Sequence, residues 1–329
     1  MRKLIQQILA VTCIALALFL SSGCKRAWEV PLARHVLLIG IDGMGAEAFQ
    51  ATAMPHLKRL AREGALSIKA RSVMPTVSTP SWGSILTGAG PEQHGMTSND
   101  WPLTNYTIEP TAKDADGYFP SIFMLLRLNM PDAEIGVFYD WKELGNIFNP
   151  KYLNHSELTK DYQETIEKAI PYILEKKPQL TFLYLGHPDE VGHDHGFSSE
   201  EYYQSLEQVD TKVGELVEAL KRAGLYEETH ILIVSDHGGI GTHHGGESMV
   251  ELEVPWIIRG PGVIRDRMIS QSVNICDTAS TIAYLFHLEQ LYEWIGRPVL
   301  GAFKANKDLA SKNTEKFIPK PKSSLGSGI

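Results

Sequence analysis

Three aspartates, Asp42, Asp189 and Asp236, each follow an apolar run directly or within a few residues, and histidines crowd the second and third of them. Asp189 and His193 form an Asp-x-x-x-His pair among Gly186, Gly192 and Gly196. Asp236 and His237 are adjacent, and His243 and His244 follow in a glycine-rich turn. Carboxylate oxygen together with imidazole nitrogen is a donor set that suits zinc. Carboxylates converging in a buried place are costly without cations or hydrogen-bond donors. Each aspartate alone reads equally well as a turn or helix-capping residue; the neighbouring histidines shift the balance towards metal. Residues 74–84 add the hydroxyls of Ser78, Thr79 and Ser81 ahead of an expected helix, whose first amides would be free to meet an anion. A serine hydroxyl needs a base or a metal to become a nucleophile, and spacing does not choose among these three. His195, in the same expected loop as His193, is a candidate substrate contact, as is Asn99. Trp82, Trp101 and Tyr106 could stack on a base or other apolar leaving group, or simply pack.

Positioning these groups falls to short, almost wholly apolar runs. Residues 34–41, 134–139, 179–185, 229–234 and 254–258 read as strands, and 55–63, 159–177, 200–222 and 277–288 as helices. Apolar strands alternating with helices predict a mostly parallel sheet covered on both faces, a three-layer α/β/α sandwich. In such a sheet, ligands gather beyond the carboxyl ends of the strands, where the aspartates fall. The stretch 95–160 has weaker periodicity and is expected to hold a small inserted lid on the substrate side, within one catalytic domain over 34–303.

The chain has 329 residues, 43% apolar and 21% charged, with a formal charge of -8. That composition excludes a disordered chain, a coiled-coil rod and a collagen-like fibre. Its acidity argues against duplex nucleic acid as a partner. Arg2 and Lys3 precede an apolar run over 8–20 and then Ser21-Ser22-Gly23-Cys24, which reads as a secretory signal. The last four residues resemble the cleavage box of bacterial lipoproteins. That resemblance implies a signal over 1–23, a lipidated Cys24 anchoring an exported protein of the bacterial envelope, and a linker over 24–33. Only Cys276 then remains in the mature fold, so no intrachain disulfide framework is available. Residues 304–329 are polar and rich in Lys, Pro, Ser and Gly, a tail.

Taken in order, Ile41-Asp42-Gly43, Ser78-Thr79-Pro80-Ser81-Trp82, Leu86-Thr87-Gly88, His94-Gly95, Pro188-Asp189-Glu190-Val191-Gly192-His193, Ser235-Asp236-His237-Gly238 and His244-Gly245 resemble the alkaline phosphatase superfamily. Within it they are most similar to the type I phosphodiesterase/nucleotide pyrophosphatase branch, over roughly residues 34–290. The resemblance implies two zinc ions and a phosphate-ester substrate, possibly nucleotide-derived, cleaved through a covalent phosphoserine at Ser78. It implies Asp42, Asp236, His237 and Ser78 around one ion, and Asp189, His193 and His244 around the other. His244 is preferred over His243 because it directly precedes a glycine. The branch usually has threonine at position 78, and the resemblance places its phosphate-contacting asparagine at Ser81. A phosphomonoesterase would use nearly the same core. A sulfatase fits less well, since Trp82 stands at its arginine position and cannot replace that charge. The non-enzyme alternative is a secreted binding protein with structural metals.

Overall fold

His35–Ile41 (β1) sends alternate side chains to opposite faces, with Val36 and Leu38 in one apolar cluster and Leu37, Ile39 and Ile41 in another. Burial on both sides is the mark of a central strand in a covered parallel sheet. The computed structural model describes residues 32–101 and 106–303, and it bears this out. The signal segment 1–23, most of the linker with Cys24, and the tail 304–329 lie outside the described residues.

The other strands are Ala65–Arg71 (β2), Ile135–Tyr139 (β3), His155–Leu158 (β4), Leu180–Leu185 (β5), Thr229–Val234 (β6), Glu253–Arg259 (β7) and Arg267–Met268 (β8). They form one sheet in the order β4-β3-β5-β1-β6-β7-β2-β8. From β4 to β6 the pairing is parallel; β7 runs antiparallel to both its neighbours, and β8 is parallel to β2. Helices Ala46–Ala51 (α1), Pro55–Glu63 (α2), Tyr162–Lys176 (α5) and Glu200–Arg222 (α7) cover one face. Ser78–Thr87 (α3), Ile122–Asn129 (α4) and Asp277–Leu285 (α8) cover the other. Helix α6 (His187–His195) follows β5 directly at the carboxyl edge.

The expected sandwich is present, with informative differences. Strands β2, β4 and β8 have no continuous apolar run because they lie at or near the edges of the sheet, where one face or both meets water; β4 alternates half-buried and exposed residues. Residues 187–195 form a helix rather than the expected loop, started by Pro188 in its first turn, where a missing amide costs nothing. The hydroxyl segment does not precede a helix: α3 begins at Ser78 itself. Of the stretch expected as a lid, β3 and β4 belong to the sheet.

Helix α3 is fully buried along its length, and two close fits hold it. The Trp82 ring lies against Gly40 of β1, where an added Cβ would come within 2.3 Å of it, so a glycine is required in mid-strand. From beneath, His94 is completely buried, with Nδ1 accepting from the Met96 amide (3.1 Å) and Nε2 on Ser84 Oγ (3.0 Å). Ser84 Oγ in turn donates to the Pro80 carbonyl (2.9 Å). Ser84 therefore accepts from His94, which is the neutral tautomer protonated at Nε2.

Burial pushes His94 down from 6.5 to about 3. The unfolded chain takes up that proton near 6.5 while the fold refuses it, so this contribution is complete above 6.5 and lost as pH falls towards 3. Against His94→Gln, wild-type protein is expected to hold an advantage of about 1–3 kcal/mol at neutral pH from its buried hydrogen bonds. By pH 4.5 that advantage should fall by about 2.5 kcal/mol, enough to cancel most of it or reverse it. Urea denaturation of both proteins at the two pH values measures it; a constant gap would contradict a buried neutral imidazole.

Candidate metal centre

At the carboxyl edge, the chain turns sharply after β1 and β6 and enters α6 after β5. Asp42 follows β1 and is completely buried; its Oδ2 accepts from Trp82 Nε1 (3.0 Å) and from the Tyr184 hydroxyl (2.5 Å). Gly43 turns the chain with φ +70° and donates its amide to Asp236 Oδ1 (3.2 Å). A side chain at Gly43 would press on Asp189 at 3.0 Å as well as strain the backbone. Ser235 accepts from the Met44 amide (3.0 Å) and donates to the His237 carbonyl (3.1 Å), tying the two turns together. On α6, Asp189 and His193 are four residues apart and so share one helix face. His195, two residues further, does not share it and is exposed.

In each aspartate, one carboxylate oxygen is enclosed and has no hydrogen-bond donor: Asp42 Oδ1, Asp189 Oδ1 and Asp236 Oδ2. Burial holds the Asp42 carboxyl above its usual range. Burial first, and repulsion from neighbouring carboxylates second, push Asp189 and Asp236 well above theirs. Three imidazoles face these oxygens. His237 places Nδ1 on the Gly238 carbonyl (3.0 Å), His244 on the Thr76 carbonyl (2.8 Å) and His193 on the Thr242 carbonyl (2.9 Å). A carbonyl only accepts, so in each ring Nδ1 carries a proton and Nε2 is the atom turned to the acids. Burial holds His237 and His244 below the usual histidine range, which keeps them neutral.

Those atoms converge. His193 and His244 bring their Nε2 atoms within 3.1 Å of each other. His237 Nε2 is 3.1 Å from Asp236 Oδ2, 3.4 Å from Asp42 Oδ1 and 3.3 Å from Ser78 Oγ. Donor atoms of Asp189, His193 and His244 lie within 4.8 Å of one another, as do those of Asp42, Asp189 and His237, so Asp189 stands between the two groups. Unpaired carboxylate oxygens interleaved with imidazole lone pairs are mutually unfavourable until a cation lies between them. The residues fit divalent metal.

Ser78 opens α3, and Val77 supplies no side-chain cap. The Thr79 amide donates instead to Asn99 Oδ1 (2.9 Å), which brings Asn99 to the mouth of the site. The expectation for Ser81 needs correction: it is completely buried within α3 and its Oγ meets Ser72 Oγ (3.2 Å), away from any ligand. Trp82 is likewise interior and serves Asp42 rather than a substrate. Trp101 is buried with its ring 5.5 Å from that of Tyr106, whose hydroxyl donates to the Gly117 carbonyl (2.7 Å), so these two pack on one another. His243 is exposed, and His244 is the one that joins the cluster.

Sequence reasoning missed Tyr184 and Asp140. A tyrosine in an otherwise apolar, fully buried strand must find a partner for its hydroxyl, and that was the available signal. Asp140, one residue past β3, accepts from the Gly186 amide at the start of α6 (2.9 Å), and burial pushes its carboxyl up to about 7. Nothing in its local pattern marked it.

This sandwich, with its acid and histidine groups at the carboxyl edge, is the alkaline phosphatase-like fold. Residues 36–254 match the model of the type I phosphodiesterase/nucleotide pyrophosphatase family, and the chain belongs to that family. Among curated proteins it is similar to bis(5'-adenosyl)-triphosphatase ENPP4 of Bos taurus, 28% identical over 228 residues that cover 67% of this chain and 50% of that protein. The chain thus spans about half the length of the curated relatives it matches first. Among solved structures, murine ectonucleotide pyrophosphatase/phosphodiesterase 5, an inactive threonine-to-alanine variant in complex with AMP, superposes with a TM-score of 0.66 at 17% identity. That match covers 78% of this chain and 96% of the other. A 2-O GAG sulfatase, BT1596, gives a TM-score of 0.66 at 16% identity over 83% of this chain and 75% of that one.

Replacing Asp189 by its amide removes the cost of enclosing an ionisable acid in the metal-free protein and, where Asp189 binds metal, takes a ligand from the loaded one. Asp189→Asn is therefore expected to raise the melting temperature of chelator-treated protein by about 2–4 °C. The same change should shrink the rise that follows addition of zinc. Melting curves with and without metal test both signs, and a variant whose zinc response equals that of wild type would exclude Asp189 as a ligand.

Proposed function

We propose that this protein hydrolyses small phosphoric diesters, nucleotide-derived ones among them, by way of a phosphoserine at Ser78 and with two zinc ions. The observation that carries the reading is the position of Ser78: its hydroxyl opens a helix and lies 3.3 Å from the lone-pair nitrogen of His237, beside the unpaired oxygens of Asp42 and Asp236. Asp42, Asp236 and His237 would hold one ion beside Ser78, and Asp189, His193 and His244 the other. When bound, such a pair supplies positive charge that lowers the effective pKa of the serine hydroxyl and neutralises the phosphate.

The chain's own groups do the rest. Ser78 Oγ forms a bond to phosphorus as the bond to the leaving oxygen breaks, and the departing group takes up the proton. Water then cleaves the phosphorus–Ser78 bond, restoring the hydroxyl and releasing the phosphate monoester. The Asn99 carboxamide, anchored through Oδ1 on the Thr79 amide, offers its NH2 to an incoming phosphate oxygen at the mouth. Membership of the family and the AMP held by a structural neighbour support a nucleotide-like substrate. The sulfatase reading loses support because Trp82, at the expected arginine position, is spent beneath the site on Asp42. Export and lipid anchoring at Cys24 complete the proposal and place the hydrolysis in the bacterial envelope.

Ser78→Ala is expected to lower turnover of bis(p-nitrophenyl) phosphate by on the order of 10³-fold or more. Its zinc-induced rise in melting temperature should stay like that of wild type. Wild-type protein should prefer this diester over p-nitrophenyl phosphate and leave p-nitrophenyl sulfate nearly untouched. Full activity in Ser78→Ala would reject the nucleophile; preference for the monoester would reassign the protein as a phosphomonoesterase.

A further inference from the structure

Two residues before Ser78, Thr76 is completely buried and spends every polar atom but its amide on one distant loop. Its carbonyl accepts from His244 Nδ1 (2.8 Å). Its hydroxyl accepts from the Gly245 amide (3.1 Å) and donates to the Gly246 carbonyl (2.8 Å). From this geometry we propose that Thr76 is the positioning residue that locks His244 as a cation ligand and ties that lock to the Ser78 segment. The inference rests on the paired-cation reading of the site.

Three physical points carry it. The carbonyl contact fixes the tautomer, with the proton at Nδ1 and the lone pair at Nε2, the atom that faces His193 and Asp189. Among aliphatic side chains of this size, only one bearing a hydroxyl both accepts and donates, so the pair of bonds to Gly245 and Gly246 needs threonine or serine. Gly245 has φ +108° and Gly246 also donates its amide to Glu251 Oε1 (2.7 Å), so the turn after His244 is gripped from two sides. The ring itself stacks on His237 at 3.7 Å between centroids, and displacement of His244 would therefore reach the other imidazole as well. Outer partners of metal-binding histidines that set tautomer and orientation commonly change affinity by about 10–100-fold.

Thr76→Val removes the hydroxyl and keeps the carbonyl; Thr76→Ser restores the hydroxyl. Chelator-stripped proteins are titrated with zinc chloride against a competing dye, and the melting temperature of each metal-free protein is recorded alongside. Wild type should titrate in two steps. In Thr76→Val the step assigned to the His244 site, the one that His193→Ala also weakens, should loosen by about 10–100-fold while the other loosens much less, and Thr76→Ser should bring it back. Wild-type-like titration of Thr76→Val overturns the proposal. So does a variant in which both steps weaken equally along with a fall in metal-free melting temperature, since Thr76 would then serve the fold alone. Absence of zinc binding by wild type would instead remove the paired-cation reading beneath it, and that result needs no variant to recognise.

Discussion

The burial of three acids side by side is the constraint around which this edge of the molecule is built. Asp42, Asp189 and Asp236 each leave one enclosed oxygen without a donor. The partner oxygens of Asp42 and Asp236 are well served, by Trp82 and Tyr184 in one case and by the Gly43 amide in the other. A fold selected for stability alone would have satisfied both oxygens or replaced the acids, because an unpaired buried polar group costs about 1–3 kcal/mol and an unpaired charge more. Hydrogen bonds to one oxygen orient the carboxyl group of Asp42 and of Asp236 and turn the other oxygen towards His237 Nε2. The histidines obey the same division: Nδ1 is spent on a carbonyl and Nε2 is turned towards the acids.

The sheet exists to bring those groups within reach of one another. Placing β1 between β5 and β6 in parallel register ends all three at the same level, so that Asp42, α6 and Asp236 emerge side by side. Helix α3 then supplies both ends of the chemistry. Its first residue is Ser78, and one turn later Trp82 reaches across Gly40 to hold Asp42. Moving α3 would shift hydroxyl and ligand together, which is why its underside is pinned by the neutral His94 rather than by a group that could charge at mild pH.

Much of this was legible in the sequence because the central strands are apolar on both faces and their ends are marked by acids. What the sequence concealed has a common cause. Residues 187–195 are polar and carry glycine and several histidines, so no apolar stripe announced a helix, yet the four-residue spacing of Asp189 and His193 was already a helical one. Ser81 looked like a site residue because it carries a hydroxyl and falls where the resemblance puts an asparagine, and Trp82 because its ring could stack on a base, whereas α3 is buried along its whole length and only its first residue, Ser78, brings a hydroxyl to the cluster. Asn99 reaches the mouth through a contact with Thr79 that spans twenty residues, beyond any local periodicity. Strands β2, β4 and β8 were hidden for the opposite reason, being too exposed to form apolar runs.

Fold likeness does not by itself choose a reaction here, since a nucleotide pyrophosphatase/phosphodiesterase and a sulfatase superpose equally well at comparably low identity. The choice falls to local chemistry. A sulfate ester bears one negative charge on a weakly basic group, and a site for it profits from a fixed cation on the protein. This chain puts the uncharged indole of Trp82 where that cation would stand and turns it inward to Asp42, so a fixed protein cation is missing from that position. Under the proposed reading, that charge is supplied by metal held among the enclosed oxygens of Asp42, Asp189 and Asp236 and the imidazoles of His193, His237 and His244. Paired divalent charge suits a phosphoryl group, whose non-bridging oxygens can engage both ions during an in-line displacement.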